Sequence, residues 1–152
     1  MIQRIQTIWL LLAAITIACL LFIPVVTKTT GNIEYSIIAS GLYEKANGVS
    51  KKIEAFLPLL ISTIAVAIMS LVNIFNFRNR TNQKRFILAN VVLIIGLSFW
   101  YSQYAKKIPG GLEAATYGIG LFLPLLAIIF CLLAMRGINN DEKLIRSADR
   151  LR

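Results

Sequence analysis

Four glutamates and two cysteines are the side chains from which acid–base or thiol chemistry in this chain would have to come. Glu34, Glu44, Glu54 and Glu113 fall in the connections between apolar segments, where a carboxylate reads first as a solvated loop charge. Cys19 and Cys131 both fall inside apolar runs, whereas a disulfide framework or a zinc site needs clustered, accessible ligands. Cys131 lies close to Arg136 and Cys19 sits mid-segment, so the two thiols are expected at different depths and not as a redox pair. The chain has no histidine, which removes His-based catalysis and the commonest metal-ligand sets. The expectation is a non-enzyme with no cofactor and no metal.

A second set of polar side chains lies within the apolar runs. Asn73 and Asn90, and likewise Thr63 and Ser98, fall at matching distances on either side of a turn centred near Thr81. Each pair is therefore expected to meet at one depth and join two antiparallel helices, or else to line a small polar cavity. Side-chain hydrogen bonds between helices in lipid contribute about 0.6 to 2 kcal/mol. Gly118, Gly120 and Pro124 predict a kink near Gly120, because proline removes one backbone bond and crowds the carbonyl four residues earlier.

The elements that hold these residues follow from composition. Of 152 residues, 57% are hydrophobic and 15% charged, and mean hydropathy is +0.72; a soluble domain has about a quarter of its residues charged. Spanning ~30 Å of hydrocarbon takes about twenty apolar residues as a helix. Four runs free of Asp, Glu, Lys and Arg meet that length: about 8–27, 55–77, 86–105 and 114–135. The expected fold class is an all-α membrane protein, a bundle of four antiparallel transmembrane helices over residues 1–136. The first run exceeds a signal-peptide core and has no small-residue cleavage site after it, so it reads as a retained helix.

The connections differ in kind. Loop 28–54 is long, and Ile33, Tyr35 and Ile37 alternate with polar residues, which suggests either a small β-hairpin on the outer face or an irregular amphipathic loop. Arg78 to Arg85 reads as a short polar turn, and Ile108-Pro109-Gly110-Gly111 as a stop between the last two helices. Arg136-Gly137 reads as a helix end with a glycine cap. Residues 137–152 are then a separate cytoplasmic tail, a basic amphipathic helix with Leu144, Ile145, Ala148 and Leu151 on one stripe. Lys143, Arg146, Asp149, Arg150 and Arg152 would present a docking surface for anionic lipid or a protein partner.

The chain carries a net charge of +9. Its basic residues collect beside the apolar runs, and no basic patch is interleaved with aromatics outside them, so no nucleic acid is expected as a partner. With the N-terminus inside, ten Lys and Arg fall on the inner side and six, all lysines, on the outer. The positive-inside rule then places both termini in the cytoplasm of a multi-pass protein. FLPLL occurs twice, at 56–60 and 122–126, a faint trace of a duplicated hairpin or a chance repeat.

The opening MIQRIQT, running into an apolar helix, and the closing RGINNDEKLIRSADRLR resemble the Bacteroidota membrane proteins grouped as domain of unknown function 4293. The resemblance covers the whole chain in length and layout. It implies a protein of the inner membrane of a Gram-negative bacterium and brings no activity, ligand or catalytic residue to these positions. On this footing the expected role is a non-catalytic accessory, assembly or scaffold subunit acting through protein or lipid contacts. The alternative is a small transporter or channel subunit for a neutral solute, since proton and ion pathways usually need ionisable groups within the membrane.

Overall fold

The computed structural model describes residues 3–46, 48–76, 79–113 and 115–149, excepting the side chains of Gln3, Arg4, Arg146, Ala148 and Asp149. The element order is α1 (Gln3–Cys19), β1 (Val26–Thr30), β2 (Ile33–Ile38), β3 (Gly41–Ala46), β4 (Val49–Ala55), α2 (Leu57–Phe75), α3 (Arg80–Ala105), β5 (Thr116–Tyr117) and α4 (Leu123–Asp149). A 3₁₀ turn at Ile119–Leu121 leads into α4.

The all-α bundle expected from hydropathy is therefore wrong. Four helices are present, but an antiparallel sheet of order β4-β3-β2-β1-β5 joins them. Three helical stretches, Leu57–Phe75, Arg80–Ala105 and Ile119–Ile145, are long and apolar enough to cross a membrane, while α1 falls short of that length. The single hairpin expected in loop 28–54 is four strands linked by tight turns. Thr30 pairs with Ile33, Ile38 with Gly41 and Ala46 with Val49. Gly31 and Gly48 take positive φ, 62° and 81°, the conformation that tight hairpin turns require and glycine adopts without strain.

Each shifted helix boundary has a local cause. Pro24 disfavours helical geometry at the residue before it, so α1 tightens through Leu20 to Phe22 and ends. The β-branched residues that follow, Val25 to Thr27, enter the sheet. Downstream, α3 begins at Arg80 instead of near Phe86. The Asn79 side chain accepts from the Asn82 amide at 3.2 Å, and this cap lets charged residues ride on the first turns. The fourth helix begins at Leu123, so Gly120 lies in the preceding 3₁₀ turn and Pro124 is the helix's second residue. Proline there removes no helical bond, so the cause expected to kink a helix near Gly120 is absent. Nor does Gly137 cap a helix. The separate amphipathic tail helix expected after it is the continuation of α4, unbroken to Asp149.

All five strands belong to the α1–α2 and α3–α4 connections, so the sheet caps one end of the helices. Beneath it, α1 packs most extensively on α4 and next on α2. Leu10, Ala13, Ile17 and Leu20 of α1 and Ala127, Cys131, Ala134 and Ile138 of α4 are buried. The spacings of three and four place each set on one face, and the alanines permit the close approach that stands in for hydrophobic drive in lipid. Trp9 stacks on Phe130 at 5.8 Å. Sheet and helices share one core: Val26, Ile37 and Leu42 join Phe56 and Ile108 at the junction. There Phe56 meets Tyr104 with ring centroids 4.3 Å apart, under the Lys107 ammonium.

Candidate functional site

Polar side chains inside the helices form a ladder running away from the sheet. Near the sheet, the hydroxyls of Thr63 and Tyr101 meet at 3.1 Å. Thr63 therefore pairs with Tyr101 and not with Ser98, whose hydroxyl donates to the Ile94 carbonyl of its own helix. Midway, the Asn90 amide donates to Ser70 Oγ at 2.6 Å and reaches Cys131 Sγ at 3.8 Å, so one side chain touches α2 and α4 together. Asn73 and Asn90 do not pair. Asn73 lies a turn beyond Ser70, where its backbone carbonyl accepts a long bond from Gln83 at 3.5 Å.

The far end carries the charged rungs. Lys84 donates to Asn139 Oδ1 at 3.0 Å and to Glu142 at 2.7 Å, joining α3 to α4. Gln6 donates its amide to the Asp141 carboxylate, joining α1 to α4. Gly137 makes room for this contact, since a Cβ there would lie 3.0 Å from Gln6 Cγ. The sequence-based reading missed Ser70, Tyr101, Gln83, Gln6 and Asp141. At the sheet end, Lys28 is buried, and its ammonium donates to the carbonyls of Gly110 and Gly111 at 2.7 and 2.9 Å. It pins β1 to the α3–α4 connection instead of standing in solvent.

The expected docking residues lie mostly beyond view. Lys143 is exposed on the last turns of α4. Arg146 and Asp149 are helical, but their side chains fall outside the description, and Arg150 and Arg152 lie outside the described residues. Among the described residues no cluster of three His, Cys, Asp or Glu is arranged to hold a metal ion.

The concave feature of interest is a crevice of about 690 Å³ between α2 and α3, at the end away from the sheet. Ile68, Met69, Val72, Phe75 and Phe86 make it apolar, and Asn73 lines it. Asn73 is 2% exposed, yet neither atom of its side-chain amide has a hydrogen-bond partner among the described residues. A buried amide left unpaired costs about 1–3 kcal/mol. A second hollow of about 340 Å³ shares Met69 and Phe86 with the first and adds Asn82 and Arg85. The second hollow adjoins the first at those two side chains and brings the Arg85 cation beside it.

Outward faces complete the picture. Ile5, Ile8 and Ile15 of α1, Ile61, Ile68 and Val72 of α2, Val92 and Phe99 of α3, and Leu125 and Leu132 of α4 are all exposed. A belt of this extent on every helix is unlike the scattered apolar exposure of a soluble monomer. The class so defined is compatible with a membrane protein: a helical bundle with spans long enough to cross, capped at one end by an antiparallel sheet. Within that class the chain matches the family described as domain of unknown function DUF4293 over residues 2–151, and it belongs to that family. Comparison with curated proteins finds no match.

Proposed function

We propose that the chain is a non-catalytic scaffold or accessory protein of the bacterial inner membrane that works through contacts made by its outer sheet. In this reading the helical belt lies in lipid, the sheet faces outward, and both termini lie in the cytoplasm. Charge supports the orientation. The described arginines, Arg80, Arg85 and Arg136, lie toward the far end, while the sheet end holds lysines only. The Gln6–Asp141 contact brings the beginning and the end of the chain to one side.

The observation that carries the role is β4. Each of its seven residues is exposed, Val49 and Ile53 included, and it forms one edge of the sheet. An open edge offers unpaired backbone groups to an added strand. Inside the bundle, by contrast, the ladder's polar groups mostly join one helix to another, which suits a scaffold better than a reaction centre. The basic tail from Lys143 onward supplies a second surface, for anionic lipid or a cytoplasmic protein.

A photo-crosslinking residue placed at Val49 or Ile53 in living cells tests the role, with Phe99, in the apolar belt, as the reference position. Discrete protein adducts from β4 but not from Phe99 are the expected result. Absence of any adduct along β4 removes the scaffold reading. Orientation is read separately from single cysteines at Val49 and Asn82, which should react with an impermeant thiol reagent before and only after permeabilisation, respectively.

A further inference from the structure

We infer that the crevice between α2 and α3 is a binding site for one anionic phospholipid, with an acyl chain along the apolar wall and the phosphate on Arg85. The site requires the membrane insertion proposed above, and it goes beyond general contact with lipid. Three observations converge on this occupant. First, about 690 Å³ of apolar space walled by Ile68, Val72, Phe75 and Phe86 is in the range of small-molecule sites and opens sideways into the belt. Second, Asn73 borders that wall with a buried amide that has no partner among the described residues, a hydrogen-bonding group that a side-chain rotation would bring to the ester region of a glycerolipid. Third, the crevice continues past Met69 and Phe86 to Asn82 and Arg85. Arg85 is exposed and forms no ion pair or hydrogen bond with the described residues, whereas its neighbour Lys84 is taken up by Asn139 and Glu142.

The geometry follows the order of the lipid. Side chains on a helix lean toward its N-terminus, so Arg85 leans toward the start of α3, the headgroup level. Val72 and Asn73 lie near that level, since the Asn73 carbonyl meets Gln83, and the acyl wall runs deeper along α2 to Ile68 and Ala65. A guanidinium holds a phosphate through paired N–H donors, and basic pockets between helices on the cytoplasmic side select anionic headgroups. A zwitterionic lipid fills the same wall but neutralises its own phosphate, so the rim should discriminate.

Native mass spectrometry of the full chain in mild detergent, titrated with phosphatidylglycerol or phosphatidylcholine of identical acyl chains, reads that discrimination. Wild type should bind phosphatidylglycerol roughly tenfold more tightly, the scale of one charge-assisted contact. Arg85→Gln should abolish the preference. Arg136→Gln, which removes an exposed cation elsewhere, should keep it. Val72→Trp, which fills the crevice, should weaken both lipids, and glycerol 3-phosphate alone should not compete. Equal affinity of wild type for the two lipids, or a preference that survives Arg85→Gln, overturns the site. So does a self-association lost in Val72→Trp, which would assign the crevice to a second copy. Carbonate extraction of cell membranes separates the two failures: a protein released by carbonate defeats membrane insertion, whereas a retained protein without headgroup preference defeats the lipid site alone.

Discussion

Gln6 and Asp141, near opposite ends of the sequence, share one hydrogen bond: the Gln6 side-chain amide donates to the Asp141 carboxylate. Both residues are buried, each 7% exposed, and the other oxygen of Asp141 has no partner among the described residues. The contact therefore holds an incompletely satisfied carboxylate at the far end of the bundle.

Breaking it from one side is expected to be worse than removing it altogether. Gln6→Leu strips the buried carboxylate of its remaining bond, and a loss of about 1–3 kcal/mol is expected. Asp141→Leu orphans only a neutral amide and should cost less. The double variant should be more stable than the sum of the two losses, because partners acting as a unit are not additive. Thermal unfolding in detergent of all four proteins checks this. Additive single losses would show that the two side chains do not interact.

Asn73 and Asn90 look alike in sequence but should respond differently to the same substitution. Asn90→Leu removes the bond to Ser70 and the contact with Cys131, for a loss of about 0.6 to 2 kcal/mol. Asn73→Leu removes a side chain with no partner among the described residues, so stability in detergent should hold or rise. Equal destabilisation by both would mean that Asn73 is paired in the folded protein.

That Asn90 meets Ser70 and not Asn73 marks the limit of what the sequence yields. Apolar length locates α2 well, because its run is bounded by charge at Glu54 and Arg78, and lipid forces such a run into helix. The same rule misplaces α3. It rejects charged residues, yet Asn79 caps the helix and Arg80, Lys84 and Arg85 belong to its first turns. What a count of residues from the turn does not give is the face each side chain takes: Asn90 meets Ser70 and Thr63 meets Tyr101. Hydropathy also cannot separate a lipid-facing helix from a buried strand, so Val25 and Val26 were absorbed into α1. Pro24 was the signal that separates them, as were Asn47-Gly48 and Gly31-Asn32 for the hairpins. The repeated FLPLL proved local in meaning. Both copies open a helix at their second residue, Leu57 and Leu123, with Pro58 and Pro124 in the first turn. The crevice was not legible, because it depends on which face of α2 remains uncovered.

Gly118 and Gly120 hold the sheet against the start of α4, and both should resist even a methyl group. A Cβ on either would fall 2.5 or 2.6 Å from the Pro24 carbonyl oxygen, backbone that cannot move without displacing β1. Gly118→Ala or Gly120→Ala should therefore cost about 1–3 kcal/mol. Gly96→Ala, in the middle of α3 with nothing within 4 Å of the added atom, should instead stabilise by about 0.5–1 kcal/mol. Thermal midpoints that move the same way for all three would contradict the close approach.

The continuity of α4 changes how the tail is best cut. Truncation before Asp141 removes the partner of Gln6 and the carboxylate partner of Lys84, which keeps only Asn139, so the bundle itself should lose stability along with the tail. Truncation after Lys143 keeps both partners and removes Leu144 to Arg152. The shorter cut should leave the thermal midpoint close to that of the full chain, since Leu144, Ile145 and Ser147 are exposed and exposed residues away from packed contacts change stability by about 0.5 kcal/mol or less. The longer cut should lower it by several degrees. If both proteins melt together, α4 beyond Asn140 carries no structural role, and the Lys84–Glu142 bridge is a surface pair of the kind worth less than about 1 kcal/mol. If only the longer cut melts early, any partner lost from the shorter one is lost from the tail surface itself, and the tail's docking role can be read without the confounding loss of fold.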